Sequence, residues 1–263
     1  MGSGWKMNKT VKEAREYAAR LADYLAGHPA RARIFVVPPF TALQTVGQVL
    51  KDSGVIVGAQ NMHWSDGGAF TGEISPGMLR DVGVSLVELG HSERRAQFGE
   101  TDETVNRKVL AAFQHTLRPL VCVGETAVER DGNVGNDAVI RQVTIALRDV
   151  PEDRVQDVMF AYEPVWAIGE SGTPAEPAYA NAMHGVIQTA VGQAYGDRIA
   201  SAVAVLYGGS VEPGNVAAFA RQPLIDGLFI GRASWDVTSF ITCIQAFEGA
   251  RRGGQRLEAT GSP

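Results

Sequence analysis

Short apolar segments alternate with longer amphipathic segments along the whole chain. Nearly continuous apolar runs occupy residues 34–37, 55–59, 84–89, 120–123, 158–162, 203–207 and 228–230. Such runs are typical of strands covered on both faces, as in a parallel sheet. Between them, apolar residues recur at i, i+3 and i+4 in segments such as 11–25, 104–113, 178–191 and 216–220, which predicts helices. The alternation predicts an α/β fold made of successive βα units.

A closed (β/α)8 barrel needs one more strand than these runs provide. That strand would precede Trp5, where only residues 1–4 remain. We therefore expect a single barrel domain over residues 1–250, with a first strand that is short or trimmed. The polar segment 129–137 predicts a solvated turn, and residues 251–263 lose their periodicity and predict a flexible C-terminal tail.

Composition and charge narrow the classes of function. The chain has 263 residues, 45% of them hydrophobic, which is enough for one large core. Its formal net charge is -5 and its basic residues are scattered, which argues against nucleic acid or an anionic membrane as a partner. Cys122 and Cys243 are the only cysteines, too few for a disulfide framework. With no signal segment and no apolar run near ~20 residues, we expect a cytoplasmic protein.

Candidate catalytic residues follow several of the predicted strands. Glu163 ends an apolar run, and residues 164–169 lead on into a Gly-rich loop. A partly desolvated carboxylate in such a place suits a general base, although a lone Glu after a strand is more often a surface charge. His91, Ser210 and Gly231 follow three other strands. In a (β/α)8 barrel all these positions share the C-terminal face, where active sites form, and this favours the functional interpretation.

Six ordered blocks resemble the triosephosphate isomerase family. They are WKMN at residues 5–8, GAFTGEIS at 68–75, GHSERR at 90–95, VCVGET at 121–126, AYEPVWAIG at 161–169 and YGGSV at 207–211. The resemblance spans residues 5–247. It implies a (β/α)8 TIM barrel that moves a carbonyl along a short sugar phosphate through an enediolate, with no metal and no cofactor.

The resemblance also implies catalytic roles for particular residues, as known for that family. Glu163 would take a proton from the carbon beside the substrate carbonyl, and neutral His91 would donate a hydrogen bond to the carbonyl oxygen. Lys6 would supply a fixed positive charge, with Glu93 as its carboxylate partner. Cys122 is expected to be a buried packing residue.

Substrate binding and assembly are implied in the same way. Residues 164–175 would close over the site as a lid. Backbone N–H groups near Gly169, Ser210, Gly231 and Arg232 would bind the phosphate. The loop around Thr71 would reach into a neighbouring subunit, which implies a homodimer.

Three differences from the family's usual pattern bear on the substrate. Gly4 stands where the family has Asn, the lid reads AIGESGTPA at 167–175 where AIGTGKTAT is usual, and Arg232 interrupts a Gly-Gly-Ala-Ser pattern. With NMHW at 61–64, they are similar to the branch that converts L-erythrulose 1-phosphate into D-erythrulose 4-phosphate. That substrate carries an added hydroxymethyl group on the reacting carbon, and Gly4 is the substrate-length candidate because it leaves space there. A glycolytic enzyme with a three-carbon substrate, and a barrel that binds sugar phosphates without turnover, remain as alternatives.

Overall fold

The computed structural model describes residues 1–169 and 172–259, with side chains described as far as residue 252. Eight parallel strands close into a barrel in sequential order, which confirms the predicted (β/α)8 fold. The strands are β1 (Gly2–Gly4), β2 (Phe35–Val37), β3 (Ile56–Ala59), β4 (Leu86–Leu89), β5 (Arg118–Val123), β6 (Met159–Tyr162), β7 (Ala204–Tyr207) and β8 (Gly227–Ile230).

The strand that the apolar pattern does not reveal is β1. It has three residues, and it pairs in parallel with β2 on one side and with β8 on the other. Ser3 lies opposite Val36 and Ile230 in these two ladders. A short first strand is therefore sufficient to close the barrel.

Helices surround the barrel on its outer face. Within the described residues they are α1 (Val11–Gly27), α2 (Leu43–Leu50), α3 (Pro76–Asp81), α4 (Ser92–Phe98), α5 (Asp102–Gln114), α6 (Ala127–Asp131), α7 (Gly135–Ala146), α8 (Glu152–Val155), α9 (Pro177–Tyr195), α10 (Asp197–Ala200), α11 (Val216–Ala220) and α12 (Val237–Ala259). The predicted solvated turn at 129–137 is wrong, because α6 and the start of α7 occupy most of it.

Helix α1 illustrates how local sequence sets these elements. Thr10 caps it by accepting from the N–H of Glu13, and the Glu13 side chain accepts from the N–H of Thr10 in return. This reciprocal cap satisfies two N–H groups that the first turn would leave unpaired. The buried face then follows the helical repeat, with Ala14, Tyr17, Ala18, Leu21 and Leu25 directed at the sheet.

Two phenylalanine rings compensate for the missing side chains of β1 inside the barrel. A Cβ atom at Gly2 would overlap the Phe35 ring, and one at Gly4 would lie 3.0 Å from Cζ of Phe229. The two rings stack on each other with centroids 5.6 Å apart. The interior is completed by buried apolar side chains from the other strands: Val37, Leu86, Leu120, Cys122, Met159, Ala161 and Leu206.

The last helix, α12, continues to Ala259 and so extends past residue 250, the predicted end of the domain. The flexible tail stays a prediction, and residues 260–263 fall outside the described part of the chain. Among the residues described, no helix combines the length and the apolar character that crossing a bilayer requires.

Candidate active site

A cavity of about 590 Å³ opens where the C-terminal ends of the strands meet their loops. Its wall contains all the residues that the sequence predicts for catalysis, phosphate binding or substrate length: Gly4, Lys6, His91, Glu93, Glu163, Gly169, Ser210, Gly231 and Arg232. A second cavity, of about 410 Å³, is lined by the first residues of several strands and by none of these side chains. The predicted residues therefore converge on one site at the expected face of the barrel.

Glu163 lies directly after β6 and is almost fully buried, with 3% of its surface exposed. Its backbone N–H donates to the carbonyl oxygen of Val123 at 2.7 Å, which continues the ladder between β5 and β6. Burial raises the pKa of the Glu163 carboxyl, and the nearby His91 and Lys6 oppose that rise. A carboxylate with a raised pKa is better suited to take a proton from carbon than an exposed one.

The position of Glu163 depends on two glycines. A Cβ atom at Gly208 would lie 2.7 Å from Cγ and 3.0 Å from Oε1 of Glu163. A Cβ atom at Gly124 would overlap the carbonyl group of Glu163. The glycines that directly follow β5 and β7 therefore leave room for the backbone and for the side chain of Glu163, respectively.

His91 is held by the start of α4. Its Nδ1 atom accepts a hydrogen bond of 3.1 Å from the N–H of Glu93, so His91 acts as the N-cap of this helix. The neutral ring then carries its proton on Nε2, because Nδ1 is used as an acceptor. Nε2 lies 3.5 Å from Oε2 of Glu163, which places a hydrogen-bond donor beside a buried carboxylate on one side of the cavity.

Lys6 and Glu93 form an ion pair across the mouth of the barrel. Nζ of Lys6 donates to Oε1 of Glu93 at 2.6 Å. Lys6 has a positive φ of 51°, and Gln60 donates to its carbonyl oxygen at 2.8 Å. Partial burial raises the pKa of Glu93, but the hydrogen bond and charge of Lys6 outweigh this and lower it overall. Glu93 therefore stays ionised and fixes the Lys6 ammonium beside the cavity.

Ser210 contacts the start of the predicted lid in this structure. Its N–H and its hydroxyl both donate to the carbonyl oxygen of Ala167, at 3.1 Å and 2.7 Å. Binding of phosphate by this N–H would require that contact to open. Gly169, which follows, has a positive φ of 88°. Of the predicted lid, residues 170 and 171 lie outside the described residues.

A buried carboxylate that the sequence analysis did not single out holds the same segment. Glu125 accepts hydrogen bonds from the hydroxyls of Tyr162 and Tyr179, at 3.0 Å each, and from Nε1 of Trp166 at 2.8 Å. Arg130 lies over the Trp166 ring with its Cζ 4.3 Å from the centroid. The sequence places Glu125 within the VCVGET block. Its role could not be predicted from that block, because its three hydrogen-bond donors come from other elements.

Glu88 is a second carboxylate that the sequence analysis did not assign to the site. It lies on β4, faces the barrel interior, lines the cavity and is 6% exposed. The thiol of Cys122 donates to its Oε1 at 3.8 Å. Burial raises the pKa of the Glu88 carboxyl well above its ordinary value, and the charge of Glu163 adds to this. One feature of the sequence could have identified Glu88, since it is an acidic residue inside the apolar run 84–89.

The space expected beside Gly4 is partly filled. The Phe229 ring approaches to within 3.0 Å of the position that a Cβ atom at Gly4 would take. A large side chain on the neighbouring β8 therefore lies where a side chain at position 4 would begin. Gly4 and Phe229 together shape this part of the cavity wall.

Comparison with known proteins agrees with the fold. A family model described as Triosephosphate isomerase matches residues 1–247. The chain belongs to the triosephosphate isomerase family. It is a sugar-phosphate isomerase, in accord with the isomerases that it resembles along most of its length.

Three similar relatives share one name. Proteins called L-erythrulose-1-phosphate isomerase from Mesorhizobium japonicum and from Rhizobium etli are each 51% identical to this chain, over 92% of it and over 94% and 89% of their own lengths. A protein of the same name from Brucella abortus is 50% identical over 92% of this chain and 93% of its own length. These family members therefore match the chain over nearly the whole barrel.

Proposed function

We propose that this isomerase converts L-erythrulose 1-phosphate into D-erythrulose 4-phosphate. The observation that carries the proposal is the identity of about half of all aligned residues to relatives named for that substrate. The differences at Gly4, Arg232 and the lid, noted from the sequence, support it. Such a reaction would belong to the breakdown of erythritol rather than to glycolysis.

The chemistry of the proposed reaction is a proton transfer between neighbouring carbons. The carboxylate of Glu163 would take the proton from C3 and later return it to C2, while the proton of the C3 hydroxyl moves to the C2 oxygen. His91 would donate from Nε2 to the oxygen atoms as negative charge develops on them. Lys6, held by Glu93, would stabilise the same enediolate, since a fixed charge in a water-poor site is effective.

The phosphate would lie on the side of the cavity formed by the loops after β6, β7 and β8. Gly169, Ser210, Gly231 and Arg232 all line this wall. Glycines permit close approach of backbone N–H groups to an anion. Lid closure over the site would then exclude water from the enediolate and keep the phosphate from leaving it.

A three-carbon substrate is the second candidate, and one observation favours it. The Phe229 ring fills part of the space beside Gly4, where the additional hydroxymethyl group was expected to fit. On this alternative the chain would interconvert dihydroxyacetone phosphate and D-glyceraldehyde 3-phosphate, as in glycolysis.

Isotope exchange tests the chemistry independently of the preferred direction of reaction. In D2O, the wild-type protein should introduce deuterium at C3 of L-erythrulose 1-phosphate and at C3 of the D-erythrulose 4-phosphate formed from it. The Glu163→Gln variant removes the base at nearly constant size, so exchange should fall ~100-fold or more. A loss of less than about tenfold in a folded variant would exclude Glu163 as the base. Tight binding of the sugar phosphate by the wild type without exchange would indicate a binding protein.

A homodimer formed through the Thr71 loop is part of the proposal. Thr71 is exposed, and the neighbouring Phe70 is 44% exposed although it also packs on the His63 ring at 4.2 Å. Met7, next to Lys6, is 96% exposed. Apolar side chains that project in this way support an interface beside the site. Sedimentation analysis should find a wild-type dimer and a Thr71→Arg monomer, and a monomeric wild type would exclude this part.

A cytoplasmic location is also proposed. Cys122 and Cys243 are both buried and free. Unpaired thiols of this kind are usual in a reducing compartment. Fractionation of the native cells, with an antibody against this chain, would test the location, and recovery from the medium would contradict it.

A further inference from the structure

Glu88 lies inside the active-site cavity, yet no step of the proposed reaction uses it. Its side chain points inward from β4, below the level of Lys6 and His91, and it is 6% exposed. Among the described residues its one hydrogen-bond partner is the thiol of Cys122, at 3.8 Å. A thiol is a weak donor, so most of the hydrogen-bonding capacity of this carboxyl is unused. Its second oxygen is not among the buried polar atoms that lack a partner, so it is open to the cavity and to a ligand bound there.

The order of strands fixes which end of the substrate faces Glu88. In the closed barrel, β4 lies across from β8. The phosphate wall is built by the loops after β6, β7 and β8, including Gly231 and Arg232. A substrate with its phosphate on that wall directs its other end across the barrel, toward β4. For a four-carbon ketose phosphate that end is the terminal hydroxymethyl group.

We propose that the Glu88 carboxyl hydrogen-bonds the terminal hydroxyl of the four-carbon substrate and so determines substrate length from the floor of the cavity. This inference rests on the proposed function and deepens it. It moves the main determinant of length from Gly4 to β4. Gly4 and Phe229 then shape the side wall, and Glu88 supplies the polar contact that a three-carbon substrate does not use.

The direction in which the Glu88 pKa is shifted suits this role. Burial raises the pKa of the carboxyl, with a further contribution from the negative charge of Glu163, while Lys6 acts in the opposite direction. A protonated carboxyl has one O–H donor and retains acceptor capacity, so it can both donate to and accept from an alcohol. It also adds no second negative charge beside the base. An ionised Glu88 would disfavour the enediolate that Lys6 and His91 stabilise.

A bound metal ion is the competing use of the same groups. Potential ligand atoms of Glu88, Cys122 and Glu163 lie within 4.8 Å of one another. An ion held there would occupy Glu163 and remove it as a base. Burial raises the pKa of the Cys122 thiol well above its ordinary value, and this works against the thiolate that a metal would need. Both points disfavour the ion, and the position of Glu88 across the barrel from the phosphate wall favours the hydroxyl.

The test combines two variants with two substrates. Glu88→Val removes the polar contact, and Glu88→Gln keeps a donor and an acceptor. The substrates are L-erythrulose 1-phosphate and its 4-deoxy analogue, with dihydroxyacetone phosphate as the reference. For the wild type, kcat/KM should be roughly tenfold to a hundredfold lower on the deoxy analogue, the usual effect of leaving a buried polar group unpaired.

The variants should then give non-additive effects. Glu88→Val should lose a similar factor on L-erythrulose 1-phosphate but no further factor on the deoxy analogue, and its loss on dihydroxyacetone phosphate should be clearly smaller than its loss on L-erythrulose 1-phosphate. Glu88→Gln should keep most of the discrimination between the first two substrates. Equal losses on all three substrates would overturn the inference, because a merely structural role predicts that pattern.

Three further outcomes would also overturn it. Activity that is lost to a chelator and regained with Zn²⁺ would assign Glu88 to a metal site. Wild-type activity on dihydroxyacetone phosphate alone would overturn both the inference and the proposed substrate. If the wild type prefers L-erythrulose 1-phosphate but the losses caused by the variants and by the deoxy analogue are additive, the role of Glu88 is overturned and the proposed substrate stands. Near-ultraviolet circular dichroism establishes that each variant is folded.

Discussion

Gly208 leaves the space that the Glu163 side chain occupies, since a Cβ atom at Gly208 would lie 2.7 Å from Cγ of Glu163. Two adjacent strands, β6 and β7, thus cooperate to position one carboxylate. Gly208 also has a negative φ, so the space and not the backbone conformation requires glycine here.

The Gly208→Ala variant should displace the base and lower kcat by roughly a hundredfold, because small misplacements of a catalytic group have effects of that size. The global fold should persist. Gly214→Ala is the matched control, since no atom lies within 4 Å of the position of its added Cβ. Steady-state kinetics on both variants checks this, and equal activities would contradict the account of how Glu163 is positioned.

The coupling of Gly4 to Phe229 predicts how substrate length responds to mutation. Gly4→Asn alone should perturb the barrel, because its Cβ would approach Phe229 to 3.0 Å. Gly4→Asn combined with Phe229→Leu relieves that contact and restores an amide beside Lys6. The ratio of kcat/KM values should shift toward the three-carbon substrate by roughly tenfold to two-hundredfold, as for a methylene-sized change in fit. Phe229→Leu alone is the control, and an unchanged ratio in the folded double variant excludes Gly4 as a determinant.

The three hydrogen bonds accepted by Glu125 predict a large effect on stability. Glu125→Leu leaves the hydroxyls of Tyr162 and Tyr179 and the indole N–H of Trp166 without their acceptor. An unpaired buried group costs about 1–3 kcal/mol. Tyr162 is buried while Tyr179 and Trp166 are partly buried, so the free energy of unfolding should fall by about 2 kcal/mol or more. Glu125→Gln retains an acceptor and should lose less. Urea unfolding measures both, and equal stabilities of Glu125→Leu and wild type would refute the role of this carboxylate as an anchor.

The raised pKa of Glu88 predicts a dependence of stability on pH. Above its ordinary value of 4.5, the folded state keeps a proton that the unfolded state releases, so the free energy of unfolding falls as pH rises through the folded-state pKa. The raised pKa of Glu163 changes stability in the same direction. Around Glu88, the charge of Glu93 also raises the pKa of the carboxyl, whereas Lys6 and the hydrogen bond from the Cys122 thiol lower it.

The Glu88→Gln variant cannot titrate at this position. Its free energy of unfolding should therefore fall less than that of the wild type between about pH 5 and about pH 8. Urea unfolding of both proteins across this range is the measurement. If the free energies of unfolding of the two proteins change with pH in parallel, Glu88 is ionised in the folded protein over this whole pH range.

The barrel could be predicted because its strands are buried on both faces and therefore read as apolar runs. Strand β1 is the exception, since its inward positions are Gly2 and Gly4. The rings that fill their space, from Phe35 and Phe229, come from neighbouring strands. This compensation depends on contacts between distant parts of the chain, which local patterns do not contain.

The site was predictable to the extent that its residues lie in ordered blocks at strand ends. Glu163, His91 and Lys6 are of this kind, and all of them line one cavity. Glu88 and Glu125 were not predicted as site residues because their importance depends on which side chains surround them after folding. An acidic residue within an apolar strand is the feature that could have identified Glu88.

The most direct test of the account compares kcat/KM for L-erythrulose 1-phosphate with kcat/KM for dihydroxyacetone phosphate, using the wild-type protein. The account predicts a clear preference for the four-carbon substrate, by roughly tenfold or more, because a buried polar group is paired only by that substrate. An equal or higher value for dihydroxyacetone phosphate would contradict it and assign the chain to the three-carbon reaction.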